Sequence, residues 1–184
     1  MSPEAAQNSI PNAPLTPMAA SDEQQVLVLQ VNRHNFPLER VLGVLRRRAP
    51  NIATLSVAST EDSDVARVTI VIRGSQALAE HAAAHLRKVV DVVSAVATPV
   101  SAEGEQMLLR ELALVRVACT AQTRREVVDI VQLFGAHVVN VRHDALTLEF
   151  CGTSETIDNV LRLVGSHGIR ELTRTGRVAI HRDD

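Results

Sequence analysis

The sequence predicts an α+β fold made of two split βαβ sandwiches, each in the order βαββαβ. Two observations predict it. Hydrophobic periodicity switches between strand and helix spacing in the same order twice along the chain. A polar stretch with proline and glycine, Pro99 to Glu105, separates the two runs.

In the first run, Val26 to Val31 is an apolar stretch of strand length. Leu38, Val41, Leu42 and Leu45 then recur at helical spacing, and Pro50 stops that helix. Ile52 to Thr60 reads as a second strand, Glu61 to Asp64 as a polar turn, and Ala66 to Arg73 as a third strand. Ser75 is placed to cap a helix carrying Leu78, Ala82 and Leu86, and Val89 to Val96 closes the unit. The second run repeats the order. Met107 to Cys119 is a long strand, and Thr123 to Phe134 is a helix ending at Gly135. Ala136 to Val141 and Ala145 to Phe150 form a hairpin. Thr153 or Ser154 caps a helix through Ile157, Val160, Leu161 and Val164, closing at Gly168. Ile169 to Arg182 is extended, with a turn at Thr175-Gly176. The predicted organisation is a disordered lead-in over 1–24, a first domain over 25–98, a linker over 99–105 and a second domain over 106–184.

Composition narrows the function. The chain has 184 residues, 46% of them hydrophobic, and only three aromatics, Phe36, Phe134 and Phe150. Stacking surfaces for single-stranded nucleic acid therefore find no support. A formal net charge of −2 gives no general attraction for phosphate backbones or acidic membranes. No apolar run approaches the roughly 20 residues of a membrane span. Four of the seven prolines fall in the first 24 residues, which lack the basic start and apolar stretch of a signal peptide. Cys119 and Cys151 sit in apolar strand patterns and read as small buried residues of a reducing compartment, so the expected location is cytoplasmic.

Little in the residues points to catalysis. His81 and His85 share one helix face, but no third ligand is adjacent in sequence. Arg46-Arg47-Arg48 closes a helix, where cations stabilise the terminal carbonyls. Gly152-Thr153-Ser154 reads as a turn before a helix. No nucleophile elbow, P-loop, dinucleotide fingerprint or catalytic carboxylate pair occurs. Ligand or partner binding is what remains. The most telling stretch is Val31 to Leu38, a strand-to-helix turn without glycine. Free N–H groups at a helix start suit a small polar ligand, which usually needs a small residue to approach them. Here the turn carries Arg33, His34 and Phe36.

Several segments together resemble the small regulatory subunit of acetolactate synthase (acetohydroxyacid synthase). In the first half they are Arg40-Val41-x-Gly43, Arg47-Arg48-Ala49-x-Asn51-Ile52, Leu55-x-Val57-Ala58-x-Thr60, Arg67-Val68-Thr69-Ile70-Val71 and Leu86-x-Lys88-Val89-Val90-Asp91-Val92. In the second they are Arg110-Glu111-Leu112-Ala113-Leu114-Val115, Val138-Val139-x-Val141, Gly152-Thr153, Gly168-Ile169-Arg170-Glu171-Leu172 and Gly176-x-Val178-Ala179. The resemblance implies an N-terminal ACT domain that dimerises and binds a branched-chain amino acid, usually valine, and a C-terminal ferredoxin-like domain. It implies no cofactor in this chain, and a separate catalytic subunit carrying thiamine diphosphate, magnesium and FAD. That enzyme joins pyruvate to a second 2-keto acid, and the small subunit stimulates it and conveys feedback inhibition.

The family's effector pocket uses an Asn and a Gly in the first strand-to-helix turn, an Asn starting the second strand, and a small residue near that strand's end. Asn51 and Ala58 match the last two. Alignment from Leu38 and Val41 puts Arg33 at the turn's Asn position and Phe36 at its Gly position, with Asn35 offering an amide one residue away. Pro50 replaces the aromatic that typically precedes Asn51. Phe36 is expected to fill the space an amino acid needs, so effector binding is expected to be weakened, lost or changed in specificity while subunit association persists. The alternative reading is a diverged ACT-type amino-acid sensor acting on another partner. A free-standing enzyme is disfavoured by the missing acid/base constellation.

Overall fold

The computed structural model describes residues 23–34, 37–49 and 51–182. The predicted lead-in up to residue 22, the turn residues Asn35 and Phe36, and the helix stop Pro50 lie outside the described residues. The elements are β1 (Gln24–Asn32), α1 (Leu38–Arg48), β2 (Ile52–Ser59), β3 (Val65–Arg73), α2 (Gln76–Leu86), β4 (Val92–Pro99), β5 (Met107–Ala118), α3 (Arg124–Leu133), β6 (His137–Val141), β7 (Ala145–Gly152), α4 (Ser154–Gly165), β8 (Ile169–Arg174) and β9 (Val178–His181). The α+β fold with two βαββαβ runs is as the periodicity indicates.

Among the described residues two compact units form, one from 23–111 with 175–182 and one from Leu112–Arg174. The first holds a four-stranded sheet in the order β2-β3-β1-β4. Its central strand β1 pairs antiparallel with both β3 and β4. Alternation along β1 divides its side chains between two cores. Leu27, Leu29 and Val31 pack with Val41 and Leu45 of α1 and Ala79, Ala82, Ala83 and Leu86 of α2. Val26 and Val28 point the other way, to Val71, Met107, Leu109 and Ala179.

That second cluster comes from a third layer. The start of β5 pairs antiparallel with β9, with Met107 opposite His181 and Arg110 opposite Val178, and this ribbon covers part of the sheet face away from the helices. The sequence reading grouped 106–184 as one domain; the structure places Met107 to Glu111 and the last strand in the first unit. The physical reason is apolar burial: without Met107, Leu109 and Ala179, the side chains of Val26, Val28 and Val71 on a central strand pair would meet water.

The second unit has the strand order β6-β7-β5-β8. Ala113, Val115 and Val117 of β5 pack with Leu146, Leu148 and Phe150 of β7, under Val127 and Val131 of α3 and Ile157, Val160, Leu161 and Val164 of α4. Thr153 takes the cap, its side chain accepting from the Thr156 N–H. The edge strand β6 is exposed at all five positions. Its hairpin neighbour Asp144 accepts a 2.6 Å hydrogen bond from Arg170.

One boundary shifts by a full turn. The fourth strand begins at Val92 rather than Val89, because residues 88–91 turn: the Lys88 N–H donates to His85 C=O, Val89 to Leu86, and Asp91 has φ 71°. The closing extended segment is two strands, β8 and β9, on either side of the expected turn at Thr175-Gly176, and they pair with different stretches of β5.

Two outcomes follow from this packing. Leu109→Ala removes a side chain 1% exposed and lowers the unfolding free energy by about 2–5 kcal/mol; with no Trp or Tyr, far-UV circular dichroism during urea titration is the suitable probe. The Arg170 hydrogen bond, aided by its charge, holds the Asp144 carboxyl below its ordinary pKa. A depressed carboxylate pKa adds stability above the ordinary value and loses it as pH falls through the folded value. In Arg170→Ala the Asp144 carboxyl titrates at higher pH, as carbon-detected NMR reads directly.

Candidate functional site

The candidate site is the junction of β1 with α1. The helix starts at Leu38 after a buried Pro37, which offers no side-chain cap but whose C=O accepts the Val41 N–H at 2.9 Å. Proline at this point costs no intrahelical bond. With no capping side chain among the described residues of the turn, the helix start keeps orphan N–H groups.

Two aspartates hold the turn from opposite sides. The Arg33 N–H donates to the Asp64 C=O at 2.7 Å, and His34 Nε2 lies 3.1 Å from Asp64 Oδ1. Asp64 belongs to the β2–β3 turn, itself fixed by Asp62 Oδ1 accepting the Asp64 N–H at 2.9 Å. On the other flank the Asn32 N–H donates to the Asp91 C=O at 2.8 Å, and Arg40 reaches the Asp91 carboxylate at 3.4 Å. Asn32 Oδ1 accepts the His34 N–H, closing a small local turn. The exposed His34–Asp64 pair gives orientation and little energy, since both side chains face water (76% and 65% exposed).

Of the expected effector residues, Arg33 is exposed at this turn. Ala58 lies toward the same end of the sheet, one register position from the Ser59–Ala66 pair. Asn35 and Phe36 lie outside the described residues. Asn51 does not join them. It precedes Ile52, which pairs with Ile72, which in turn pairs with Gln25 at the start of β1. Val31, beside the turn, is six register positions further along, or about 20 Å at roughly 3.3 Å per residue. One chain therefore puts Arg33 and Ala58 at one end of the sheet and Asn51 at the other. The sequence reading missed Asp64 and Asp91 as the groups holding the turn. For Asp64 the signal was present, in the Asp62-Ser63-Asp64 pattern of an Asx turn; for Asp91 there was none.

The other candidates resolve simply. His81 and His85 meet edge to face at 4.7 Å. Desolvation, then the charges of Arg48, His81 and Lys88, lower the His85 pKa. Among the described residues no group of three or more His, Cys, Asp or Glu gathers as for a metal. Cys119 is buried, while Cys151 is exposed rather than buried as expected. No helix among the described residues is long and apolar enough to cross a membrane.

The left-handed backbone at Asp91 makes the turn sensitive to side-chain type. Asn tolerates this conformation and β-branched residues do not. Asp91→Val should cost about 1–3 kcal/mol and Asp91→Asn much less, as paired urea titrations would read.

Comparison with known proteins agrees with this architecture. Residues 29–94 match the family model described as AHAS small subunit-like ACT domain, and residues 110–183 match that described as Small subunit of acetolactate synthase. The chain is 37% identical over 145 residues to the acetolactate synthase small subunit of Mycolicibacterium smegmatis, covering 79% of this chain and 83% of that protein. It is 36% identical over 145 residues to the probable acetolactate synthase small subunit of Archaeoglobus fulgidus, covering 79% of this chain and 88% of that one. The crystal structure of the Thermotoga maritima acetolactate synthase small subunit superposes with a TM-score of 0.78 at 24% identity, over 88% of this chain and 98% of that one, and shares the fold. The chain belongs to the acetolactate synthase small-subunit family.

Proposed function

We propose that this chain is the regulatory subunit of an acetolactate synthase, activating a separate thiamine-diphosphate catalytic subunit by association in the cytoplasm. The observation that carries the reading is the collinear match of both units to small subunits at 36–37% identity over 145 residues. The absence of any acid/base constellation in the sequence fits a non-catalytic role in branched-chain amino acid biosynthesis.

The effector reading extends this to a homodimer. The family's pocket needs the turn and the start of the second strand together, and one chain holds Arg33 and Asn51 at opposite ends of its sheet. β2 is an edge strand without a charged residue, and Ile52 and Val57 are 37% and 43% exposed. Antiparallel pairing of two such edges about a two-fold axis brings the start of one copy's β2 to the end of the other's. That supports a pocket shared between copies, with Arg33 and Ala58 from one and Asn51 from its partner. A branched-chain amino acid in such a pocket shifts synthase activity only by binding two states of the complex unequally.

Arg33 and Phe36 stand where the family has small or amide residues, so the pocket is altered. We expect valine to bind this chain weakly or not at all, with association and stimulation retained. A diverged ACT-type sensor serving another partner is the competing reading, and co-purification separates the two. The chain should raise the activity of its catalytic subunit, and the double variant Arg33→Asn with Phe36→Gly should tighten valine binding by tenfold or more (on the order of 1.4 kcal/mol). Synthase assays across a valine titration and calorimetry on the purified chain measure both. No stimulation of the catalytic subunit would remove the regulatory reading, and tight valine binding by the unaltered chain would remove the altered pocket.

A further inference from the structure

The Gly176-Arg177-Val178-Ala179 stretch has no part in the turn site, yet it makes close and specific contacts within the first unit. The chain leaves this unit after Glu111 and re-enters it at Thr175. Just inside that boundary the outgoing and returning segments are tied by an ion pair, Arg177 Nε donating to Glu111 Oε1 at 3.2 Å. Both side chains are nearly buried, Arg177 at 11% and Glu111 at 4% exposure. Such a pair fixes register more than it adds stability, because each charge becomes costly if its partner moves away.

The returning segment is also docked on β2. Ser56 Oγ donates to the Arg177 C=O at 2.6 Å. A Cβ on Gly176 would stand 3.0 Å from the backbone C and O of Leu55 and 3.3 Å from Ser56 Cβ. The backbone at Gly176 is not left-handed, so glycine is needed here for close approach rather than for its dihedral freedom. Leu55 and Ser56 lie in the middle of β2, which follows Asn51 and carries Ala58 near its end.

We propose that Gly176, Arg177, Ser56 and Glu111 form a clamp that positions β2 against the two segments crossing into the second unit, so that displacement of β2 is passed to that crossing. Its role in effector response rests on the reading of β2 as an effector strand; the mechanical link does not. These are positioning residues. None is assigned a contact with the effector.

The test uses the full chain, alone and with its catalytic subunit. Hydrogen exchange in Ser56→Ala should quicken across 52–59 by about fivefold, the scale of one net hydrogen bond, and rise together in peptides covering 107–118. Gly176→Val should exceed it. Circular dichroism at rest should remain that of the parent for Ser56→Ala, which guards against a variant that fails to fold. Where the parent responds to valine, the inhibition midpoint should move by about threefold or more, with maximal stimulation unchanged. Unchanged exchange at 52–59, or a change there with none at 107–118, overturns the clamp. A parent chain indifferent to valine removes the effector reading alone, and the paired exchange then decides the clamp.

Discussion

The first unit depends on burying β1 from both sides. A four-stranded sheet with two helices on one face would leave Val26, Val28 and Val71 in water on the other. At about 25 cal/mol per Å² of apolar surface, several half-exposed valines are a deficit that a small domain bears poorly. The chain meets it with its own distant end: Met107 and Leu109 from β5 and Ala179 from β9 close the face. The fold of this unit is therefore not complete when β4 ends. It waits for residues beyond 174, which raises the sequence separation of its contacts and, by loop-closure entropy, slows its assembly.

The same constraint shapes the candidate site. Because β1 is central and fixed by two ladders, the turn at its end starts from a rigid base. Asp64 and Asp91 then hold the turn through backbone carbonyls as well as carboxylates, so its path survives changes in side chain at Arg33 and His34. A turn held this way keeps its path independent of the side chain at Arg33.

Much of this was legible in the sequence, and the reasons differ by element. Val26 to Val31, apolar at every position but Gln30, is legible as a strand, and near-continuous apolar content is what a strand buried on both faces requires. Helix faces, the Ser75 and Thr153 caps and the β6–β7 hairpin followed from periodicity and cap chemistry. The late start of β4 did not, because Val89 and Val90 look like strand residues; it is the hydrogen bond from Asn32 to the Asp91 carbonyl that sets the turn. Nor did the destination of β9. Local pattern says that Val178 to His181 is extended, but not which sheet it joins, since pairing is decided by distant apolar surface. For the candidate site, residue types were readable and their placement was not. Asn51 and Arg33 look like one pocket in an alignment and are at opposite ends of one sheet.

That separation and the tail ribbon belong to one argument. β2 is an edge strand of the described sheet, and its start and end carry different parts of the proposed pocket. It is also the strand on which Gly176 and Arg177 rest. An edge strand held only by β3 on one side would be free to slide or fray, and a pocket shared across two such edges would be poorly defined. Docking the returning segment against Leu55 and Ser56 fixes β2 at its midpoint, between the residues at its two ends. The buried Glu111–Arg177 pair then ties that midpoint to both segments that cross the unit boundary. The segment completing the hydrophobic core is thus also the one docked on the strand, so core packing and the position of β2 depend on a single piece of chain.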